Sequence, residues 1–204
     1  MDIIVYATSV AHATKRRITV KTHNFNDSND VGKWGEQVLR AFLEADPTLR
    51  RYQDVSDVES YRKMDIDAIL HFQDGPRRKV EFKTDTYTTG NMFFETESCI
   101  EYNTPGCMYK TKAEYLYYYM AAYDKVYIIR MDKYRIWFNL HKHMFKYHKF
   151  ANDKKTHKTH SGGYAIPMQY LEDHFSEKYW QVCRVPRKFK KMFPAPEKIQ
   201  HLCA

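Results

Sequence analysis

"MDIDAILHFQDGPRRKVEFKTD", residues 64–85, sets charged residues in alternate positions among apolar ones: Asp65 and Asp67 before AILHF, Glu81 and Lys83 inside KVEFK. Alternation with a period of two is the pattern of a strand with one buried face. Between the two runs, QDGPRR is polar and carries Gly and Pro, the chemistry of a turn. The stretch therefore predicts a hairpin over residues 65–84. Ile66, Ala68, Leu70, Val80 and Phe82 form its core face, and the acids and the lysine share the other. Carboxylates held close together repel and resist desolvation unless a cation sits between them. Hard divalent cations take oxygen ligands and keep several waters. A lysine beside such a group can orient a water or stabilise charge developing on a phosphate.

The register carries a condition. Directly opposed residues of an antiparallel pair share a face, so Asp67 joins Glu81 and Lys83 only if opposed positions sum to an even number. That demands a loop of three residues (Asp74–Pro76), of five (Gln73–Arg77), or a bulge. Pro76 argues against a two-residue Asp74-Gly75 turn, because it lacks the N–H of the closing pair.

Working outward, DIIVYA (2–7) and RITVK (17–21) read as short strands. NDSND (26–30) is a polar loop, and VGKWGEQVLRAFLEA follows as an amphipathic helix closed by Pro47. Its apolar face runs through Val31, Trp34, Val38, Phe42 and Leu43, with Glu36 at the border. After the hairpin come a third strand, NMFFETES (91–98), introduced by Thr89-Gly90, and a tyrosine-rich helix over TKAEYLYYYMAAY (111–123). KVYIIRM reads as a buried strand, and YRIWFNL as a strand or the start of a helix. GGYAIPMQYLEDHF gives a strand and a polar helix. The tail RVPRKFKKMFPAPEK is basic and reads as extended. No internal repeat is present.

The chain has 204 residues, enough for one domain with a substantial core. Its net charge of +8 favours polyanionic partners, and aromatics reach 16%, seventeen of them Tyr. Residues 141–160 hold six Lys and five His against one acid, a solvated or phosphate-facing segment. Cys99, Cys107, Cys183 and Cys203 show no paired spacing, so free thiols are expected. No apolar run approaches membrane-spanning length. A soluble protein of the cytoplasm is expected, the host cell's if the source is viral.

Asp67 followed by AILHF, a turn, and then Glu81-x-Lys83 resembles the PD-(D/E)xK nuclease superfamily, over residues 30–130. The order of elements is similar too, and Thr89-Gly90-Asn91 leading to Glu95 resembles phage-encoded members. The Pro before the family's Asp is absent. The resemblance implies a restriction-endonuclease-like α/β fold, a mixed sheet flanked by helices. It implies one nuclease domain over 1–204, with a core at 30–140 and a basic extension at 141–204. The implied activity is Mg²⁺- or Mn²⁺-dependent hydrolysis of DNA phosphodiesters in replication, recombination or degradation. The alternative is a non-catalytic DNA-binding protein on a degenerate nuclease fold.

By that resemblance Asp67 and Glu81 ligate the metal, the Phe82 carbonyl adds an oxygen, and Lys83 positions the water. Glu36 serves as a further acid. Asp65 competes with Asp67 for the ligand role; Asp67 is preferred because the apolar strand follows it directly. Phosphate contacts fall to Arg77, Arg78, Lys79, Lys110, Lys112, Lys154, Lys155 and Lys158. Cutting both strands would call for a two-fold homodimer.

Overall fold

The computed structural model describes residues 25–152 and 159–203. The strands expected at 2–7 and 17–21, and Lys154, Lys155 and Lys158, lie outside the described residues.

Helix α1, Phe25–Glu44, begins six residues before the expected start and absorbs the NDSND segment. It buries Val31, Trp34, Val38, Leu39 and Leu43, a stripe at helical spacing. Strand β1 (Leu49–Asp54) and a one-turn helix α2 (Glu59–Arg62) lead to the hairpin β2 (Ala68–Phe72) and β3 (Arg78–Asp85). Five residues, 73–77, connect these strands. Ala68 faces Val80, Ile69 faces Lys79 and Leu70 faces Arg78, so opposed positions sum to 148, an even number. The register condition is met.

Ala68, Leu70, Val80 and Phe82 enter one core cluster under α1. Ile66 does not join them. It packs with Val55, Ile69 and Ala113 in a small cluster of its own. The reason is local: Asp65 has φ +47°, and β2 starts only at Ala68, so strand alternation does not extend back to Ile66.

Strand β4 (Asn91–Cys99) forms where expected but leaves the hairpin's sheet. With β5 (Thr104–Pro105), β8 (Lys146–Ala151) and β9 (His160–Pro167) it makes a second, antiparallel sheet ordered β5-β4-β9-β8. One-turn helix α3 (Cys107–Lys110) follows β5.

The segment read as a helix at 111–123 is instead strand β6, Tyr115–Met120, parallel to β3. Its neighbours explain why. Tyr117 and Tyr119 fill the core under α1, while Leu116, Tyr118 and Met120 fill the core against the second sheet. A central strand covered on both faces reads as one continuous apolar and aromatic run, and tertiary burial overrides helix propensity.

Strand β7 (Lys125–Arg130) pairs with β6, helix α4 (Met131–His141) follows, and helix α5 (Met168–His174) follows β9. Strand β10 (Trp180–Arg184) completes a six-stranded mixed sheet ordered β1-β2-β3-β6-β7-β10. Residues beyond 141 thus supply strands to both sheets.

The tail is not extended. It turns through α6 (Arg187–Lys190) and a 3₁₀ segment at Glu197–Leu202, burying Phe189 and Ile199 against α1's core. Lys190 is 2% exposed, donates to the Ala121 carbonyl at 2.6 Å and pairs with Asp124. All four cysteines are free thiols. No helix among the described residues is long and apolar enough to cross a membrane.

Candidate active site

The fork where β2 and β3 part is built around Asp67. Its N–H donates to the Val80 carbonyl at 2.9 Å, and its own carbonyl accepts from the Val55 N–H at 2.9 Å. The residue is held from both sides although it precedes β2. Its Oδ2 accepts from the Phe82 N–H at 2.7 Å. A strand residue's N–H and C=O point the same way, so the Phe82 carbonyl also looks toward this fork.

Glu81 is buried, 4% exposed. Lys83, two residues on and on the same face of β3, places Nζ 3.0 Å from Glu81 Oε1. Glu81 Oε2 is buried and no N–H or hydroxyl donor among the described residues reaches it; the only hydrogen bond open to it is a proton shared with the Asp67 carboxyl. A buried carboxylate oxygen without a donor is costly, and that cost is visible in its titration. Burial pushes Glu81 up to about 8, against the pull of Lys83 and with a further push from Asp67. Asp67 is raised by burial, despite the Phe82 N–H, the Lys83 charge and a hydrogen bond shared with Glu81.

Glu36 reaches the same field from α1. Burial raises it to about 7, with Asp67 adding to the rise. The helix can come this close because of Gly35, where a Cβ would lie 1.9 Å from Thr84 Oγ1 on β3. Between α1 and β1 a cleft of about 250 Å³ opens onto the fork, lined by Lys33, Glu36, Arg40, Tyr52 and Asp67 among others. Tyr52 stacks on Phe82 at 6.4 Å, and the Arg40 guanidinium lies 5.0 Å over the Tyr52 ring.

On the far side of Lys83 stand Glu95 of β4 and Cys107 of α3. Burial works against the Lys83 ammonium, but at the alkaline pH where it titrates, charge on Cys107, Glu81 and Glu95 outweighs burial, so its pKa stands above the ordinary lysine value and it is an ammonium at neutral pH. Glu95 Oε2 accepts from the Cys107 N–H at 3.1 Å. A Cβ at Gly106 would sit 2.6 Å from the Glu95 carbonyl oxygen, so glycine permits this approach. Burial pushes the Cys107 thiol up to about 12. Asp85 continues the row on β3. It is raised to about 6 by burial and accepts from the Tyr118 hydroxyl at 2.7 Å.

The sequence-derived residues distribute unevenly. Glu36, Asp67, Glu81 and Lys83 share one electrostatic neighbourhood. Asp65 turns away: its carboxylate pairs with Lys110 at 2.7 Å, and its carbonyl accepts from the Thr111 hydroxyl at 2.5 Å. Arg77, Arg78 and Lys79 stand at the opposite end of β3 from Lys83. Arg77 is exposed, Arg78 lies over the Phe72 and Tyr115 rings at 4.6 and 5.0 Å, and the Lys79 N–H donates to Glu114 at 3.3 Å. Lys112 is exposed beside Lys110. Cys107, Asp85 and Tyr52 were not singled out by sequence. Only Asp85 carried a signal, as the next odd position of the same strand.

Among the described residues no group of three or more His, Cys, Asp or Glu side chains is gathered as a metal site. What the fork offers is two carboxylates, one with an oxygen that no donor reaches, and a backbone carbonyl aimed at the same space. Such an all-oxygen set suits a cation that retains most of its waters, as Mg²⁺ does. The donor chemistry fits. No protein-family model, no curated protein and no solved structure matches this chain.

Proposed function

We propose that the protein is a Mg²⁺- or Mn²⁺-dependent deoxyribonuclease on a restriction-endonuclease-like fold, with Asp67, Glu81 and Lys83 as its catalytic residues. The observation that carries this reading is Glu81 Oε2, a buried carboxylate oxygen that no donor reaches, on a carboxyl flanked by Asp67 and Lys83. Burying acids together costs stability. A fold that keeps this arrangement leaves a place for positive charge.

Asp67 and Glu81 would hold the cation, with the Phe82 carbonyl adding a neutral oxygen. A divalent cation there supplies charge stabilisation at a phosphoryl oxygen and a water acidified enough to attack. Lys83 stays an ammonium in this setting, so it serves as a donor that orients the attacking water and stabilises phosphate charge, not as a base. Glu36, raised to about 7 by burial, can take or release a proton near neutral pH at the mouth of the cleft. The net charge of +8 supplies a general attraction for the polyanion.

The test is incubation of the purified protein with linear, circular single-stranded and branched DNA, each with Mg²⁺, Mn²⁺ or EDTA. Cleavage with either metal and none in EDTA is the expected result. No cleavage of any substrate under any metal would remove the catalytic reading.

A further inference from the structure

The second sheet has a face that its core does not use. Met92, Phe94, Tyr164 and Ile166 point into the core against the main sheet. Phe93 and Glu95 therefore point the other way. The register continues that face across the sheet. Phe93 opposes Ala165, which opposes Lys146; Glu95 opposes Gly163, which opposes His148; Ser161 opposes Phe150. Opposed residues share a face, so Phe93, Glu95, Lys146, His148 and Phe150 form one surface over small residues of β9.

The rings on it are arranged and partly bare. A Cβ at Gly163 would lie 2.7 Å from Phe93 Cζ, so the Phe93 ring crosses over the glycine. It meets Phe150 of the next strand but one, edge to face, with centroids 5.3 Å apart. His148 lies nearly parallel to Phe150, 6.1 Å away and 13° from coplanar. Phe150 is 43% exposed. Lys146 is exposed on this face, whereas Lys149, exposed on the same edge strand, alternates to the opposite face and approaches Glu101 at 3.7 Å.

We propose that this face, from Phe93 to Phe150 with Lys146 beside it, binds single-stranded nucleic acid by stacking unpaired bases on its rings. An exposed aromatic face accepts a base only when that base is not paired inside a duplex, and lysines beside it hold the backbone without reading sequence. The position is also apt. Glu95, at one end of the His148 row, lies in the field of Lys83, and two strand spacings of about 4.8 Å separate it from His148. The platform thus shares Glu95 with the surroundings of Lys83. This placement rests on the nuclease reading, whereas the binding itself does not.

Fluorescence anisotropy in EDTA separates the two, because it reads binding without cleavage. The probes are a labelled oligothymidylate and a blunt duplex of equal length. The full chain is expected to bind the oligothymidylate more tightly. Phe150→Ala and Phe150→Leu should each weaken that binding about tenfold while leaving duplex affinity within about twofold, and Phe150→Trp should retain it. Leu keeps the apolar packing on Phe93 without offering a ring, so it guards against a folding artefact. Equal affinity of wild type and Phe150→Leu for the oligothymidylate would overturn the proposal. So would an equal loss on both probes, or a dimer dissolved by Phe150→Leu with single-strand affinity unchanged. Ring-dependent binding by a protein that cuts nothing would support the platform and remove only the catalytic reading.

Discussion

Lys83 reaches back along its own strand to Glu81, Nζ to Oε1 at 3.0 Å, yet leaves the buried Oε2 of the same carboxylate without a donor. Lys83 is itself 39% exposed in its side chain, so its charge is partly spent on water. One half-exposed ammonium does not offset the buried Glu81 and the half-buried Asp67 together. That imbalance makes the fork a poor structural element and supports the proposed cation site.

The imbalance has a stability signature. Glu81 has a folded-state pKa near 8, above its ordinary 4.5, so folding favours its protonated form. This contribution is fully present below pH 4.5 and is lost as pH rises through about 8. Glu81→Gln removes the penalty. Without metal at pH 8, the variant should be more stable than wild type by about 1–3 kcal/mol. That corresponds to a melting temperature higher by about 3–8 °C. The gap should close toward pH 5. Thermal melts in EDTA across this range check it, and a variant less stable at pH 8 would contradict it.

Cation binding should displace that proton. At pH 7 Glu81 is largely protonated in the metal-free protein, so Mn²⁺ must release about one proton, and its affinity should rise with pH from 6 to 8. Calorimetry in two buffers of different ionisation heat counts the proton directly. Asp67→Asn should abolish the binding. PH-independent Mn²⁺ affinity would show that the ion sits elsewhere.

Gly35 is expected to be intolerant of a methyl group. Alanine is the better helix former, but its Cβ would lie 1.9 Å from Thr84 Oγ1 and 2.7 Å from Thr84 Cβ. Gly35→Ala should lift α1 off β3 and cost about 1–3 kcal/mol. Chemical denaturation measures this. An unchanged midpoint would mean the helix does not need its close seat, and with it the placement of Glu36.

The hairpin was legible because its two faces differ in chemistry. A half-buried pair writes alternation into its sequence, and Asp67, Glu81 and Lys83 could be assigned one face from parity alone. Strand β6 was not legible for the opposite reason. Tyr117 and Tyr118 are buried on opposite faces, so no alternation survives, and Lys, Ala, Glu and Leu around them favour a helix.

The tail misled through its charge. Lys190 reads as a solvated residue, but Asp124, in a left-handed turn at φ +55°, holds it inside. That partner is 66 positions away in sequence. The neighbours of Lys83 were hidden by the same kind of distance. Glu95 and Cys107 belong to the second sheet and its adjoining turn, and only the packing of the two sheets brings them to β3.

The most direct test of the cation site uses the variant expected to fold best. Glu81→Gln keeps the size of the side chain and is expected to melt no lower than wild type, so lost activity cannot be assigned to unfolding. DNA cleavage by wild type and Glu81→Gln should be followed with Mn²⁺ and with EDTA at pH 8. Wild type should cut only with metal, and Glu81→Gln should be slower by at least about a hundredfold, because a metal-activated water contributes several kcal/mol to such a reaction. Cleavage by Glu81→Gln at the wild-type rate would contradict the assignment of Glu81 to the metal.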